Sequence, residues 1–475
     1  MKSCLLVQGR LIDPSQSLDT TASILIEEGK IAALGGEADA RAEADTTRLN
    51  AAGLVITPGL IDLHVHLREP GQSAKETIAT GTAAAARGGF TTVVCMPNTK
   101  PAIHSASEVA FVLERAERHG HVRVRVAGAI TKEIAGTELA PIGSLKRAGV
   151  VAITDDGHCV QNNELMRRAL EYAGMFDLPL MDHCQDYSLV SEGKMHEGYW
   201  SSVLGLQGWP SSGEELIVAR DILLAELTGT PIHCQHISAA GSVRLLREAK
   251  GRGVPISGEA CPHHFVLTDA AVAGSEAFWK ADGDGVWGAE AMQPKPAWPA
   301  YDTRFKMNPP LRSSADRLAI LEGLVDGTLE VLASDHAPHV ADEKDVEFDH
   351  APFGITGLET ELALSLMQLY HAGRLPLARV IEKFTSVPAK VLRLRDKGTL
   401  AVGVEADLTV MDPEAYWSLG ENETLSKAIN CPFFDWKLRG RALATMVGGR
   451  FVWNDWPELT RAGVAAGLAP LTVNP

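Results

Sequence analysis

The positions of apolar and polar residues define two textures along the chain. Residues 1 to about 56 consist of short apolar runs separated by turn residues, a pattern that predicts β-hairpins and not helices. The same texture returns near residues 398–412 and 441–453. Since similar textures bracket a different middle, we predict a small β-domain assembled from both ends of the chain.

The middle of the chain, from about residue 57 to residue 390, alternates strand-like apolar runs with helical patterns. Several helical patterns are followed directly by Gly, a common helix stop. Eight strands alternating with helices predict a parallel sheet, and eight is the number that closes into a (β/α)8 TIM barrel. The predicted strands lie at residues 60–66, 91–98, 121–130, 149–157, 178–184, 230–238, 254–264 and 330–339.

One segment, residues 274–300, interrupts this alternation with three Trp, several Gly and three Pro. A structureless loop of that length is unusual inside a compact domain. A lid, a subunit contact and a plain surface excursion all remain open. We expect Trp279, Trp287 and Trp298 to be buried.

Composition narrows the class of protein. The net charge of −16 disfavours a nucleic acid or an anionic membrane as partner, although it leaves room for an anionic substrate held by a local cation. No apolar run reaches membrane-spanning length, and no signal-like segment begins the chain. Seven cysteines without a C-x-x-C pair predict a reducing, cytoplasmic location.

The first predicted barrel strand ends in His64 and His66, two residues apart. Side chains alternate faces along a strand, so both imidazoles project from the same side and can chelate a metal. Arg68 continues this parity and places a fork-shaped cation beside the expected metal, where it suits a substrate carboxylate. An isolated H-x-H pair is more often packed or exposed than ligating, so the other strand ends decide its meaning.

Polar residues also end several other predicted strands. The active groups of a β/α barrel lie at the carboxyl ends of its strands, so we expect these side chains to meet at one rim. Four histidines and two carboxylates suit zinc, with manganese or cobalt left open. They exceed what one four-coordinate ion needs and suit two ions that share a bridging carboxylate. Alternation allows only one of the adjacent Asp155 and Asp156 to point inward. The residues at these ends are Asn98, Asp155 or Asp156, His183, His236, Asp335 and, just beyond, His339.

With these residues in place, the chain resembles the amidohydrolase superfamily and, within it, the bacterial type I dihydroorotases. The resemblance extends from the N-terminal strands to about Asp412. Its most specific motifs are DLHVHLREPG, MPNT, TDDG, KMNPPLR, SDHAPH and DHAPFGITGLET. It implies a distorted barrel over residues 57–390 and a β-sandwich built from residues 1–56 with 391–475.

The resemblance also implies a role for each matching residue. His64 and His66 would bind one zinc ion, His183 and His236 the other, and Asp156 would bridge them in place of the carboxylated lysine of many relatives. Asp335 would be a ligand and the general acid/base. The substrate would lie against His66, with its carboxylate held by Arg68, Asn98 and His339 and its ring by Asn308, Phe353 and Gly354. Gln185 departs from the glutamate that relatives often carry.

The implied activity is the reversible hydrolysis of (S)-dihydroorotate to N-carbamoyl-L-aspartate in pyrimidine biosynthesis. Two other readings stay open: a related cyclic amidase of the allantoinase or dihydropyrimidinase type, and a non-catalytic scaffold for an aspartate transcarbamoylase. The carboxylate-binding set opposes the first, and the complete ligand set opposes the second. We expect a small-molecule substrate and a homodimer, with association with aspartate transcarbamoylase left open.

Overall fold

Eight parallel strands form a nearly closed barrel in the computed structural model, which describes residues 3–283 and 294–464. The first and last strands meet through a parallel bridge between Val65 and His336, and the backbone N–H of His66 donates to the carbonyl of His336 at 2.9 Å. The TIM-barrel prediction is therefore confirmed. In chain order the barrel strands are β6 (Leu60–Val65), β7 (Phe90–Cys95), β8 (Arg123–Gly128), β9 (Ala152–Ile153), β10 (Leu180–Asp182), β13 (Ile232–Cys234), β14 (Ile256–Ala260) and β15 (Val331–Leu332).

A helix follows each barrel strand and packs on the outside of the sheet. Three of these helices end where predicted, because Gly89, Gly229 and Gly327 adopt the left-handed conformation that closes a helix. The eight helices are Ile78–Gly88, Ala106–His119, Ile142–Ala148, Asn163–Gly174, Ser212–Thr228, Ala240–Gly251, Ser314–Asp326 and Leu377–Phe384. Shorter helices are Gly36–Arg41, Tyr187–Val190, Tyr199–Leu204, Pro262–Val266, Ser275–Phe278, Ala341–Lys344, Glu361–Ser365, Ser386–Val391 and Pro457–Arg461.

A second sheet joins strands from the two ends of the chain, as predicted. β16 (Leu408–Trp417) pairs antiparallel with β5 (Val55–Pro58), and β5 pairs parallel with β1 (Ser3–Asp13), so a late strand completes a sheet begun by the first residues. The boundaries 1–56 and 391–475 stay a proposal; the last eleven residues, 465–475, lie outside the described part of the chain. The strands are β1 (Ser3–Asp13), β2 (Leu18–Glu27), β3 (Lys30–Leu34), β4 (Thr47–Asn50), β5 (Val55–Pro58), β16 (Leu408–Trp417), β17 (Leu438–Val447) and β18 (Arg450–Asn454); β11 (Met195–His196) and β12 (Gly208–Trp209) form a separate pair.

Part of the Trp-rich segment packs against the barrel. Trp298 stacks on Phe305 with ring centroids 4.7 Å apart, and its indole N–H donates to the carbonyl of Ala271 at 2.8 Å. Trp279 is buried beside it, with its indole N–H on the carbonyl of Pro296 at 2.9 Å. The expected burial is confirmed for these two residues, whereas Trp287 lies outside the described residues.

Candidate metal centre and substrate pocket

His64 and His66 face the same space at the mouth of the barrel. The Nδ1–H of His64 donates to Glu259 Oε1 at 2.6 Å, which leaves the Nε2 lone pair pointing towards Asp156 Oδ1 at 3.1 Å and Asp335 Oδ1 at 3.4 Å. His66 Nε2 lies 3.1 Å from Asp335 Oδ1 and 3.3 Å from Asp156 Oδ2. The two imidazoles of the first strand thus converge on the same pair of carboxylates.

His183 and His236 approach the centre from the opposite side. His183 Nδ1 and His236 Nε2 lie 2.8 Å apart, at 3.6 and 3.7 Å from Asp156 Oδ1. The Nε2–H of His183 donates to Gln185 Oε1 at 2.8 Å, so Nδ1 presents its lone pair to the centre. Asp156 therefore lies between the two histidine pairs.

Asp155 turns away from this centre. Its carboxylate accepts the backbone N–H groups of Ile130 and Thr131 at 2.8 and 3.0 Å, and also the Thr131 hydroxyl. β9 ends at Ile153, so the two aspartates lie just beyond the strand. The geometry favours Asp156 for the bridging position.

Two of the converging residues have unusual backbone conformations. His236 and Asp335 adopt positive φ angles of 31° and 47°, which non-glycine residues rarely adopt. Such conformations cluster at functional sites because the surrounding structure must hold them. Both side chains are aimed into the barrel mouth by this turn of the main chain.

The donor atoms fit a metal centre. His64 Nε2 and Asp156 Oδ1 are buried and have no hydrogen-bond partner among the described residues. Two overlapping sets place their ligand atoms within 4.8 Å of one another: His64 with Asp156 and His236, and His64 with His66 and Asp335. Imidazole nitrogen and carboxylate oxygen are ordinary zinc ligands, so the residues present fit the implied group.

Electrostatics keep the carboxylates of the centre ionised. Burial on its own raises the pKa of Asp156, but the surrounding imidazoles, His64 above all, lower it well below its usual range. For Asp335, burial likewise opposes His64 and His66, and the net effect is a lowered pKa. Two ionised carboxylates in a buried site suit a cation.

A cavity of about 340 Å³ opens beside these ligands. Its volume lies at the small end of the usual range for ligand pockets and suits a compact ring. All the residues predicted to contact substrate line it, namely His66, Arg68, Asn98, Asn308, His339, Phe353 and Gly354. The structure therefore brings the whole predicted set together.

Arg68 contributes a buried cation to the pocket wall. Its side chain is buried, and its Nε–H donates to the carbonyl of Pro338 at 3.1 Å, which orients the guanidinium. Burial lowers the pKa of Arg68 to about 10, against the opposing charge of Asp335. The guanidinium thus stays positive at neutral pH and can bind an anionic ligand.

Asn98 and His339 are already engaged by protein groups. Asn98 Oδ1 accepts the Nδ1–H of His66 at 2.9 Å, which frees His66 Nε2 for the centre. His339 Nε2–H donates to the carbonyl of Phe353 at 2.9 Å. Burial and the charge of Arg68 lower the pKa of His339 to about 3, so its ring is neutral.

Gln185 links the metal centre to the pocket. The same Oε1 atom that accepts from His183 also accepts Asn308 Nδ2–H at 3.1 Å. Gln185, where relatives often carry glutamate, therefore still provides a hydrogen-bond acceptor at this point. It couples His183 of the centre to Asn308 of the ring pocket.

The prediction from sequence missed Glu259 in β14. Its carboxylate accepts from His64 Nδ1, from His233 Nε2 at 3.0 Å and from the backbone N–H of His236 at 3.1 Å. Burial raises the pKa of Glu259, but His64 and His233 together outweigh it and lower that pKa to about 2. A carboxylate inside an otherwise apolar strand was the available signal.

This barrel, with histidines and aspartates converging at its mouth, is the arrangement that the resemblance to the amidohydrolase superfamily implied. The solved L-hydantoinase (dihydropyrimidinase) from Arthrobacter aurescens has a similar fold, with a TM-score of 0.81, 23% identity and coverage of 96% of this chain and 97% of that one. The dihydropyrimidinase from Brevibacillus agri NCHU1002 is similar at a TM-score of 0.78, 22% identity and 95% coverage of both chains. At these identities the likeness shows the fold.

Sequence relatives identify the family. The dihydroorotase of Syntrophotalea carbinolica is 47% identical over 449 residues, covering 94% of this chain and 98% of its own. That of Pelotomaculum thermopropionicum is 48% identical over 451 residues, covering 95% and 98%. A family model described as dihydro-orotase-like matches residues 53–242. The chain belongs to the dihydroorotase family.

Across the described residues, each helix is too short or too polar to cross a membrane.

Proposed function

We propose that the chain is a zinc-dependent dihydroorotase, which reversibly hydrolyses (S)-dihydroorotate to N-carbamoyl-L-aspartate in de novo pyrimidine biosynthesis. The observation that carries the proposal is the buried cation of Arg68 in the same small cavity as Asp335 and the histidines. A carboxylated cyclic amide needs both a carboxylate clamp and a hydrolytic centre. The high identity to named dihydroorotases supports the same substrate.

The proposed ligand assignment is two zinc ions per chain. His64 and His66 would hold one ion, His183 and His236 would hold the other, Asp156 would be shared by both, and Asp335 would be a further ligand. When bound, the ions would supply Lewis acidity and bring the pKa of a bound water towards neutrality. Three ligating rings are oriented by a hydrogen bond from the ring nitrogen that faces away from the centre. The acceptors are Asn98 for His66, Gln185 for His183 and Glu259 for His64.

Asp335 is the proposed proton carrier. In hydrolysis the oxygen of water forms a bond to the ring carbonyl carbon, and the bond from that carbon to the ring nitrogen breaks. Asp335 takes a proton from the attacking water and delivers it to the departing nitrogen. Its Oδ1 lies 3.1 Å from His66 Nε2, at the point where the cavity meets the ligands.

Arg68, Asn98 and His339 are the proposed carboxylate clamp. Arg68 supplies the charge and a planar pair of donors, as carboxylate recognition requires. The Nε2–H of His339 already donates to the carbonyl of Phe353. To bind the substrate carboxylate, His339 must therefore break this hydrogen bond and donate to the carboxylate instead. Asn308, Phe353 and Gly354 face the ring in this arrangement.

The test is an assay of the purified protein with dihydroorotate, in parallel with dihydrouracil and allantoin, together with zinc analysis. We expect turnover of dihydroorotate alone and two zinc ions per chain. Preference for an uncarboxylated ring would instead support a hydantoinase-like amidase. An inactive, metal-free protein that binds aspartate transcarbamoylase would support the scaffold.

Assembly and location stay predictions. We expect a homodimer, which light scattering on the purified protein would detect. Association with aspartate transcarbamoylase is tested by co-elution of the two proteins. A cytoplasmic location agrees with the seven buried cysteines, which form no disulfide bond.

A further inference from the structure

Two loops carry three of the proposed substrate contacts, and neither loop belongs to a helix or a strand. The loop after β15 carries His339, and the loop 352–354 carries Phe353 and Gly354. The first loop also orients Arg68, through the carbonyl of Pro338. The spacing between the loops therefore sets the shape of the pocket wall.

Asn430 joins these two loops with every hydrogen-bonding group of its side chain. Its Oδ1 accepts the backbone N–H of His339 at 3.2 Å. Its Nδ2 donates to the carbonyl of Ala337 at 3.1 Å and to the carbonyl of Gly354 at 3.0 Å. The Asn430 carbonyl also accepts the backbone N–H of Thr356 at 3.4 Å.

The chemistry of this position requires a primary amide. One acceptor and two donors must lie in one plane at a fixed reach, and Asn430 is only 2% exposed, so water cannot replace a lost partner. An aspartate would keep the acceptor but turn two donors into an oxygen facing two carbonyl oxygens. A glutamine would keep the groups but add a methylene to a packed site.

Asn430 comes from outside the barrel, in the connection between β16 and β17. This connection is anchored by buried Glu76, which accepts the Ser426 hydroxyl and the backbone N–H of Lys427, the latter at 3.1 Å. Glu76 also accepts His336 Nε2–H at 3.3 Å, at the base of the loop after β15. The connection and the loop thus share one anchor, and Asn430 is held in a fixed position relative to the pocket.

We infer that Asn430 is a positioning residue for substrate: it sets the distance between the His339 loop and the Gly354 loop, and so the fit of the carboxylate and the ring. This inference rests on the proposed dihydroorotase function. The side chain of Asn430 makes its hydrogen bonds to His339, Ala337 and Gly354, none of which is a proposed metal ligand, so its effect falls on substrate binding and not on metal content.

The experiment compares the zinc-loaded wild type with Asn430→Asp, Asn430→Gln and Asn430→Ser. The matched control is Asn422→Asp, an exposed asparagine of the same connection. For Asn430→Asp we expect KM for dihydroorotate to rise by about tenfold or more, which corresponds to about 1.4 kcal/mol of lost binding, because the buried carbonyl groups of both loops lose their donors. The rise in KM should exceed the fall in kcat, with zinc content unchanged, and Asn430→Gln should keep more affinity than Asn430→Asp.

Each outcome has a definite meaning. A lowered melting temperature with unchanged KM in folded Asn430 variants overturns the positioning role, as does failure of all three variants to fold, because Asn430 is then only structural. A wild type that binds zinc but does not turn over dihydroorotate overturns the proposed function and this inference with it. An active wild type with an unaffected Asn430→Asp variant overturns the inference alone.

Discussion

Glu259 accepts the Nδ1–H of His64 at 2.6 Å, beneath the mouth of the barrel. This bond fixes the tautomer of His64 and leaves Nε2 facing Asp156 and Asp335. A carboxylate behind a ligating imidazole also increases the basicity of that imidazole. Glu259 therefore acts on the proposed centre without facing its metal side.

Replacing Glu259 by Gln should weaken zinc binding. The variant keeps the shape of the side chain but loses the charge that holds His64, and loss of such a partner typically costs ~10–100-fold in metal affinity. Competition with a chromophoric chelator measures the affinity. The exposed Glu248→Gln is the control, and equal zinc affinity in both variants would contradict this role for Glu259.

Replacing Asp335 by Asn should abolish turnover. The amide cannot carry the proton between water and the departing nitrogen, and loss of general acid/base catalysis alone typically costs ~10²–10⁴-fold. We expect kcat to fall by at least ~10²-fold, with the circular dichroism spectrum retained. The exposed Asp345→Asn serves as control; a variant with normal kcat would remove Asp335 from the mechanism.

Replacing Arg68 by Lys should impair substrate binding. Lysine keeps one charge but cannot donate to the carbonyl of Pro338 and also present a planar pair of donors to a carboxylate. We expect KM for dihydroorotate to rise by about tenfold, since 1.4 kcal/mol of lost binding is a factor of ten. The exposed Arg118→Lys is the matched control. The carboxylate-clamp assignment fails if KM is unchanged.

Lys383 should make the free energy of unfolding depend on pH in the alkaline range. Its Nζ is buried and donates to the carbonyl of Leu329 at 2.7 Å, and burial lowers its pKa to about 8, against about 10.4 in the unfolded chain. Between these values the unfolded state binds more protons, so stability rises with pH. The cost of burying the charge is fully present below pH about 8.

The measurement is the melting temperature of the wild type minus that of Lys383→Met at several pH values. The difference should increase as pH rises from about 8 towards about 10.4, because the variant lacks the titrating group. A difference that stays constant over this window would show that the lysine is not held in the low-pKa environment described.

The convergence of the histidines could be predicted because it follows from local rules. Two imidazoles two residues apart share a face of β6, and the carboxyl ends of parallel strands meet at one rim. His183 and His236 were predicted on the same ground. The positions of these four side chains depend on the order of the strands in the barrel. That order follows the sequence, so the succession of apolar runs was enough to predict it.

The residues that could not be predicted depend on contacts between distant segments. The alternation rule could not choose between Asp155 and Asp156, since both follow the end of β9 at Ile153. In the sequence, Glu259 lies within a predicted apolar strand, and its contact with His64 was not predicted. Asn430 lies 91 residues after His339 in a connection without regular structure, and only the folded chain brings the two together.

Reconstitution of the metal-free protein with zinc tests the central claim most directly. The protein is stripped with a chelator and assayed with dihydroorotate after addition of one, two and three equivalents of zinc. We predict that activity is absent without zinc, reaches its maximum at two equivalents and does not recover in Asp335→Asn. Undiminished activity in the stripped protein, or full activity at one equivalent, would contradict the binuclear centre.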